Sequence, residues 1–264
     1  MRASPQRLEA LRRRLASIED RAPSDAGRFT LGIDRLDSAL GGGLLRGGLH
    51  EVYAEAGGDS PSAFGFAALL AERAGSRPVL WVSQDMVDHE AGGLYAPGLA
   101  EMGVDPRRLI LVRARDPTSL LRAALEGARC PALAAVVIGV WGRPKVLDLT
   151  ATRRLSLAAQ VSRVSLLVVR AGAEPEPSAA ETRWSVQSMP SVALEANAPG
   201  RPAFSVRLLR SRSGASPQAY FVEWDRATRS FVERPPLSGG VVPLSADRPA
   251  AAAAADVAVL RRAG

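Results

Sequence analysis

The sequence predicts an α/β fold: a mostly parallel central sheet flanked by helices, with antiparallel strands at the C-terminal side of that core. Three observations predict it. Runs such as the fully apolar LAAVVIG (Leu133–Gly139) and VSLLVVRAG (Val164–Gly172), apolar except for Ser165 and Arg170, are what strands buried on both faces require. Such runs alternate with helical stretches between Leu49 and Gly172, the pattern of βαβ units. Beyond that point strand-like runs follow one another with turns and no helices between them, which demands antiparallel pairing.

Taken in order, Gln6–Asp20 reads as an amphipathic helix. Leu8, Leu11, Leu15 and Ile18 form its stripe, and Arg7, Arg12, Arg13 and Arg14 surround it. Two roles fit this helix, packing on the domain or contacting a partner. Ala22–Gly27 is a linker, so residues 1–27 precede a core spanning 28–233. Leu36 and Leu40 share a face of a short helix that Gly41, Gly42 and Gly43 end, and Gly47–Gly48 turn into the strand LHEVYA (Leu49–Ala54). EAGGDSPS (Glu55–Ser62) is a glycine-rich turn, and AFGFAALLAER (Ala63–Arg73) is an apolar helix. Strands follow at Arg77–Ser83, Arg108–Ala114, Leu133–Gly139 and Val164–Gly172. Helices are expected at Tyr95–Met102, at Pro117–Ala128 with Asp116 or Thr118 as its cap, and at Leu147–Ser162. Ala173–Pro190 is polar and proline-bearing and reads as a long loop. Ser191–Ala196, Ala203–Arg210 and Gln218–Trp224 read as the antiparallel strands. Residues 234–264 are low in complexity and read as a mobile tail, whose Arg261 and Arg262 are candidate partner contacts.

Composition narrows the function classes. A hydrophobic content of 47% is ample for a core, and no run approaches the ~18 apolar residues of a membrane span. The start, MRASPQRLEALRRR, has no apolar leader core, and a single cysteine, Cys130, forms no intrachain disulfide; a cytoplasmic, nucleoid-associated protein without membrane contact is expected. Two histidines and one cysteine do not make an ordinary zinc site. The net charge of +7 suits nucleic acid or an acidic partner.

Strand, glycine turn and helix from Leu49 to Arg73 are the order that P-loop nucleotidases use. There backbone N–H groups and a lysine hold the phosphates, and a Ser or Thr holds magnesium. Here the chemistry is missing. Gly57 and Gly58 are present, but Ala54 stands where the first glycine belongs, Ser60 at the lysine position and Pro61 at the magnesium-binding hydroxyl position. Asp59 would repel phosphate, and Pro61 lacks an N–H. No neighbouring lysine substitutes, because Lys145 is the only lysine in the chain.

FTLGIDRLDSALGGGLLRGGLHEVYA resembles the opening of the RecA core, and the element order continues that likeness to about Trp224. Within that superfamily, LHEVYA, VLWVSQD, GLYAPGLAEMGVDP (Gly93–Pro106) and SAAETRW (Ser178–Trp184) are similar to the ImuA family, RecA-like proteins of bacterial inducible-mutagenesis operons. The resemblance implies a RecA-like core and a role in SOS-induced, error-prone translesion synthesis. It implies an ImuB-like partner related to Y-family polymerases and, through it, an error-prone C-family polymerase and the sliding clamp; RecA and DNA are further candidate contacts. It also places a further loss, Gly139 at the magnesium-supporting aspartate. Asp85 or Gln84 stands near the water-activating glutamate of RecA, where Asp85 would keep a carboxylate one methylene shorter. With these parts of phosphoryl-transfer machinery missing together, no catalysis and no ATP or magnesium binding are expected.

The resemblance sets Glu174–Met189 at the position of a mobile loop that enters single-stranded DNA. Arg183 and Trp184 are then the candidates for phosphate contact and base stacking; alternatively Trp184 folds back over the sheet edge. Arg153, Arg154 and Arg163 form either a solvated face or an interface with DNA or another subunit. Asp34 and Asp37 read as helix-terminus carboxylates in preference to an acid–base pair. His50 reads as a satisfied core histidine, and His89 falls in a loop. Two other functions compete with the adaptor reading: a SulA-like inhibitor of cell division, and an ATPase whose phosphate loop recruits an arginine such as Arg46 or Arg73.

Overall fold

The computed structural model describes residues 27–234, apart from 193, 194, 196, 197 and 199. The expected N-terminal helix with Leu8, Leu11, Leu15 and Ile18 lies outside the described residues. So does the tail beyond Arg234 with Arg261 and Arg262.

The chain enters through a short antiparallel pair, β1 (Arg28–Phe29) and β2 (Leu44–Leu45), around a one-turn helix, α1 (Asp34–Ala39). Gly43 returns the chain beside β1 at φ 107°, where an added Cβ would lie 2.2 Å from the Phe29 carbonyl oxygen, so only glycine fits. Asp37 accepts hydrogen bonds from the backbone N–H groups of Leu31, Gly32 and Ile33 at 2.8, 3.0 and 3.2 Å, the helix-terminus role expected of it.

Next come β3 (Leu49–Ala54), α2 (Ser60–Ala74), β4 (Val79–Gln84), α3 (Asp85–Ala91), α4 (Ala96–Glu101), β5 (Leu109–Ala114), α5 (Pro117–Ala128), β6 (Ala135–Trp141), α6 (Leu149–Ser162) and β7 (Ser165–Ala171). The chain closes with β8 (Thr182–Met189), β9 (Ala203–Ser211), β10 (Gln218–Asp225) and β11 (Ser230–Glu233). Among the described residues the main sheet has nine strands in the order β11-β10-β9-β8-β3-β7-β6-β4-β5. Pairings from β8 through β5 are parallel, and those from β8 through β11 are antiparallel. The predicted fold class is the one observed.

Two apolar layers enclose the sheet. Helix α2 is nearly all apolar and packs Phe66, Ala67 and Leu70 with Val52, Val137, Val169, Trp184 and Val206 on one face. Helices α5 and α6 cover the other face through Leu120, Ala124, Leu155 and Ala159, against Leu80, Val136, Leu166 and Val168. The centre of the sheet is covered on both sides, which is why its strands are mostly apolar.

Four segments depart from the sequence reading. The second half of the expected loop Ala173–Pro190 holds strand β8, inserted between β3 and β9. The described residues of 191–196 are not in a strand. Asp85–Ala91, including His89, is helical instead of looped, and β11, a strand the sequence reading did not include, closes the sheet at the end of the expected core. Strand β8 escaped notice because only Trp184 and Val186 are strongly apolar in TRWSVQSM. Its polar side chains find partners inside the protein.

Candidate functional site

The glycine turn sits between the C-terminal end of β3 and the first turn of α2, the placement a phosphate loop requires. Its interior is occupied by its own chain. Asp59, only 6% exposed, accepts from the Ala56 backbone N–H (3.2 Å) and from both the backbone N–H (2.9 Å) and the hydroxyl (2.8 Å) of Ser188 on β8. The Ser60 hydroxyl donates to the Gly57 carbonyl at 3.0 Å, so it too is turned onto the loop backbone. Glu55 bonds through its backbone N–H to Val186 (2.9 Å), and its carboxylate is engaged by the Ser185 hydroxyl and by Arg207. The turn is therefore sewn to β8 and β9 by two carboxylates at the place where a nucleotide's negative charge would have to go.

The flanking positions agree. A Cβ added to Gly57 or Gly58 would meet nothing within 4 Å, so neither glycine is needed for a close approach. Ala54 ends β3, paired with Val186. Pro61 lies in the first turn of α2, where a missing N–H is tolerated. Gly139 is buried within β6. A Cβ there would lie 3.0 Å from the Phe64 ring and 3.2 Å from Ser83, so a side chain at this position requires the aromatic ring that α2 lays over it to shift. The Gln84 side-chain oxygen accepts from the Trp141 backbone N–H at 2.8 Å and ties the ends of β4 and β6 together, while Asp85 is exposed at the start of α3. Among the described residues no three His, Cys, Asp or Glu side chains gather to hold a metal ion.

The arginines suggested as substitutes for the lysine are elsewhere. Arg73 lies in the last turn of α2 and bonds Thr30 and the Arg229 carbonyl; Arg46 bonds the Ala74 carbonyl and stacks on Phe29. Helical rise puts that end of α2 about 20 Å from the glycine turn. Neither serves a phosphate there.

Arg183 and Trp184, the candidates for DNA contact, are both engaged inside the protein. Trp184 is fully buried against Phe66 (6.3 Å between ring centroids), and its indole N–H donates to Thr182 Oγ1 at 2.7 Å. It is a core residue, neither a stacking platform nor a lid at the sheet edge. Thr182 Oγ1 also bonds His50 Nδ1 (2.8 Å), and His50 Nε2 bonds the Leu45 carbonyl (3.0 Å). A carbonyl only accepts, so Nε2 carries the proton and Nδ1 accepts from Thr182. His50 is satisfied in the core, and burial pushes its pKa down to about 4.

Arg183 points to the opposite face of the sheet. Its Nε donates to the fully buried Glu51 at 2.9 Å, and its guanidinium also bonds Ser178 Oγ (2.9 Å) and the Glu176 carbonyl. Ser178 Oγ donates to the same Glu51 carboxylate at 2.8 Å. Beside them Arg170, 2% exposed, pairs with Glu176 at 3.1 Å, and Arg143 pairs with Glu176 from outside. Tyr53 stands between the Arg170 and Arg183 guanidiniums; burial and then the Glu51 charge push its phenol up to about 12. This network holds the segment before β8 against the sheet. Its signals in the sequence were Glu51 and Arg170, charged residues inside the strand runs LHEVYA and VSLLVVRAG.

Arg153 and Arg154 are exposed on the outer side of α6. Among the described residues no helix is long and apolar enough to cross a membrane.

No protein-family model matches the chain. Its fold is similar to the crystal structure of the RadB recombinase, with a TM-score of 0.51, 17% identity, and coverage of 77% of this chain and 98% of that one. A likeness at that identity concerns the fold, and it is RecA-like. In sequence the chain is similar to Protein ImuA of two Caulobacter vibrioides strains, each 34% identical over 66% of this chain and 74% of the relative. With that identity carried across most of the relatives' length and the RecA-like sheet in place, the chain belongs to the ImuA family.

Proposed function

We propose that this protein is a non-catalytic RecA-like adaptor of damage-induced, error-prone DNA synthesis, acting in the cytoplasm at the nucleoid. The observation that carries the reading is the Asp59 carboxylate held by Ala56 and Ser188 inside the phosphate-loop turn. An anion that is part of the chain, buried and hydrogen-bonded there, opposes a nucleotide by occupancy and by charge. Phe64 packed over Gly139 leaves a tight fit for a magnesium-supporting aspartate. What remains is a rigid sheet with surfaces for protein contacts. Family membership supports an ImuB-like protein as the principal partner, with a C-family polymerase and the sliding clamp reached through it, and RecA or DNA as secondary contacts. It also favours this reading over the division-inhibitor alternative.

Titration of the full chain with a fluorescent ATP analogue and magnesium tests the first half. No saturable binding and no phosphate release above background are expected; binding at micromolar nucleotide would overturn the reading. Co-purification with a co-expressed ImuB-like protein tests the second half.

A further inference from the structure

The outer face of α6 is unlike that of an ordinary surface helix. Leu149, Arg153, Leu157 and Val161 recur at four-residue spacing and form one stripe. All are exposed, with Leu157 at 63% and Val161 at 89%. Beside this stripe, between α5 and α6, lies a groove of about 380 Å³ with Leu121, Leu125, Val146 and Leu155 in its floor and Arg122 and Arg154 on its walls.

The charge on this face is uncompensated. Among the described residues Arg122, Lys145, Arg153, Arg154 and Arg163 take part in no salt bridge, whereas the acids nearby are engaged. Asp116 caps α5 through Thr118 and Ser119, Asp148 caps α6 through Ala151, and Glu126 pairs with Arg129. Exposed aliphatic side chains in line with free guanidiniums fit a partner carrying both apolar and acidic groups. They fit nucleic acid poorly, because Leu157 and Val161 offer nothing to a phosphate.

We propose that the α5–α6 face binds an acidic, leucine-bearing amphipathic helix of a partner protein, its apolar side in the groove and along the α6 stripe, its carboxylates on Arg122, Arg153 and Arg154. The assignment stands apart from the adaptor reading, since an ATP-binding protein would present the same face.

The test measures fluorescence anisotropy of a labelled glutamate–leucine amphipathic helix with the full chain. A peptide of the same composition in permuted order, a single-stranded oligonucleotide and a duplex serve as the other arms. The patterned peptide should bind more weakly as salt rises, and the permuted one should not bind. Leu157→Asp and the pair Arg153→Glu/Arg154→Glu should each weaken binding by roughly tenfold or more, with circular dichroism unchanged because all three positions are exposed. Equal binding of both peptides, no saturable binding, or indifference to Leu157→Asp would overturn the proposal. Oligonucleotide binding lost in the double arginine variant and kept in Leu157→Asp, without peptide binding, would reassign the face to nucleic acid.

Discussion

The Asp59 carboxylate and Ser188 are joined twice, by the serine backbone N–H at 2.9 Å and by its hydroxyl at 2.8 Å, across 129 residues of chain. This contact closes the glycine turn onto β8. It converts a loop that elsewhere cradles an anion into one that contains its own.

Removing that carboxylate should therefore weaken the fold without creating a nucleotide site. Asp59→Ala leaves the Ser188 and Ala56 donors in a buried turn, at a cost of about 1–3 kcal/mol. Urea denaturation should show the loss, and ATP-analogue titration should stay flat. The triple variant Asp59→Gly, Ser60→Lys, Pro61→Thr restores the residue types of a phosphate loop. It should still release no phosphate from ATP, because Phe64 covers Gly139. Turnover by that variant would show that the loop alone had been lost.

Trp184 separates a core role from a DNA role. Trp184→Ala should cost about 3–5 kcal/mol through the cavity it leaves. Trp184→Phe keeps most of the packing and loses the hydrogen bond to Thr182, at about 1 kcal/mol. With the folded Trp184→Phe protein, single-strand affinity should match that of the unaltered chain in an electrophoretic shift assay. A selective loss of single-strand binding would return the residue to the nucleic-acid surface.

The Glu51–Arg183 pair should be costly to break from either side. Glu51 is fully buried and the Arg183 side chain is 11% exposed, so Glu51→Gln leaves a guanidinium short of its partner at about 3–5 kcal/mol. In a double-mutant cycle, adding Arg183→Met to Glu51→Gln should cost much less than either change predicts by summation. Additive losses would mean that the two side chains act independently.

His50 makes stability depend on acid. Its pKa in the folded protein, about 4, lies below the ordinary 6.5, so the folded state binds fewer protons than the unfolded state between those values. The contribution is full above pH 6.5 and is lost as pH falls toward 4, by an amount on the order of 3 kcal/mol. Protonated Nδ1 can no longer accept from Thr182, which is the structural form of that loss. Denaturation midpoints between pH 7.5 and 5 should fall more steeply for the natural chain than for His50→Asn. Parallel curves would place the acid sensitivity elsewhere.

Much of this architecture was legible in the residues. Strand β6 is apolar throughout and β4 and β7 are largely so because both their faces are covered, and burial of that kind writes a nearly continuous signal. The missing lysine, the misplaced proline and Asp59 itself could be read directly. Strand β8 could not, because Arg183 and Ser185 look like loop residues until Glu51 and Glu55 are set beside them. Likewise Arg73 near the glycine turn in sequence says nothing of the helix length that carries it to the far end of α2.

From the sequence alone came the α/β class, the likeness to a RecA core and the absence of phosphate-loop chemistry, since each rests on local residue type, spacing and periodicity. Only the tertiary structure decided that Asp59 fills the turn, that Trp184 is core and that Arg183 neutralises a buried Glu51. Those facts depend on contacts between distant segments, and a side chain's chemistry is set by what folding brings within hydrogen-bonding distance of it.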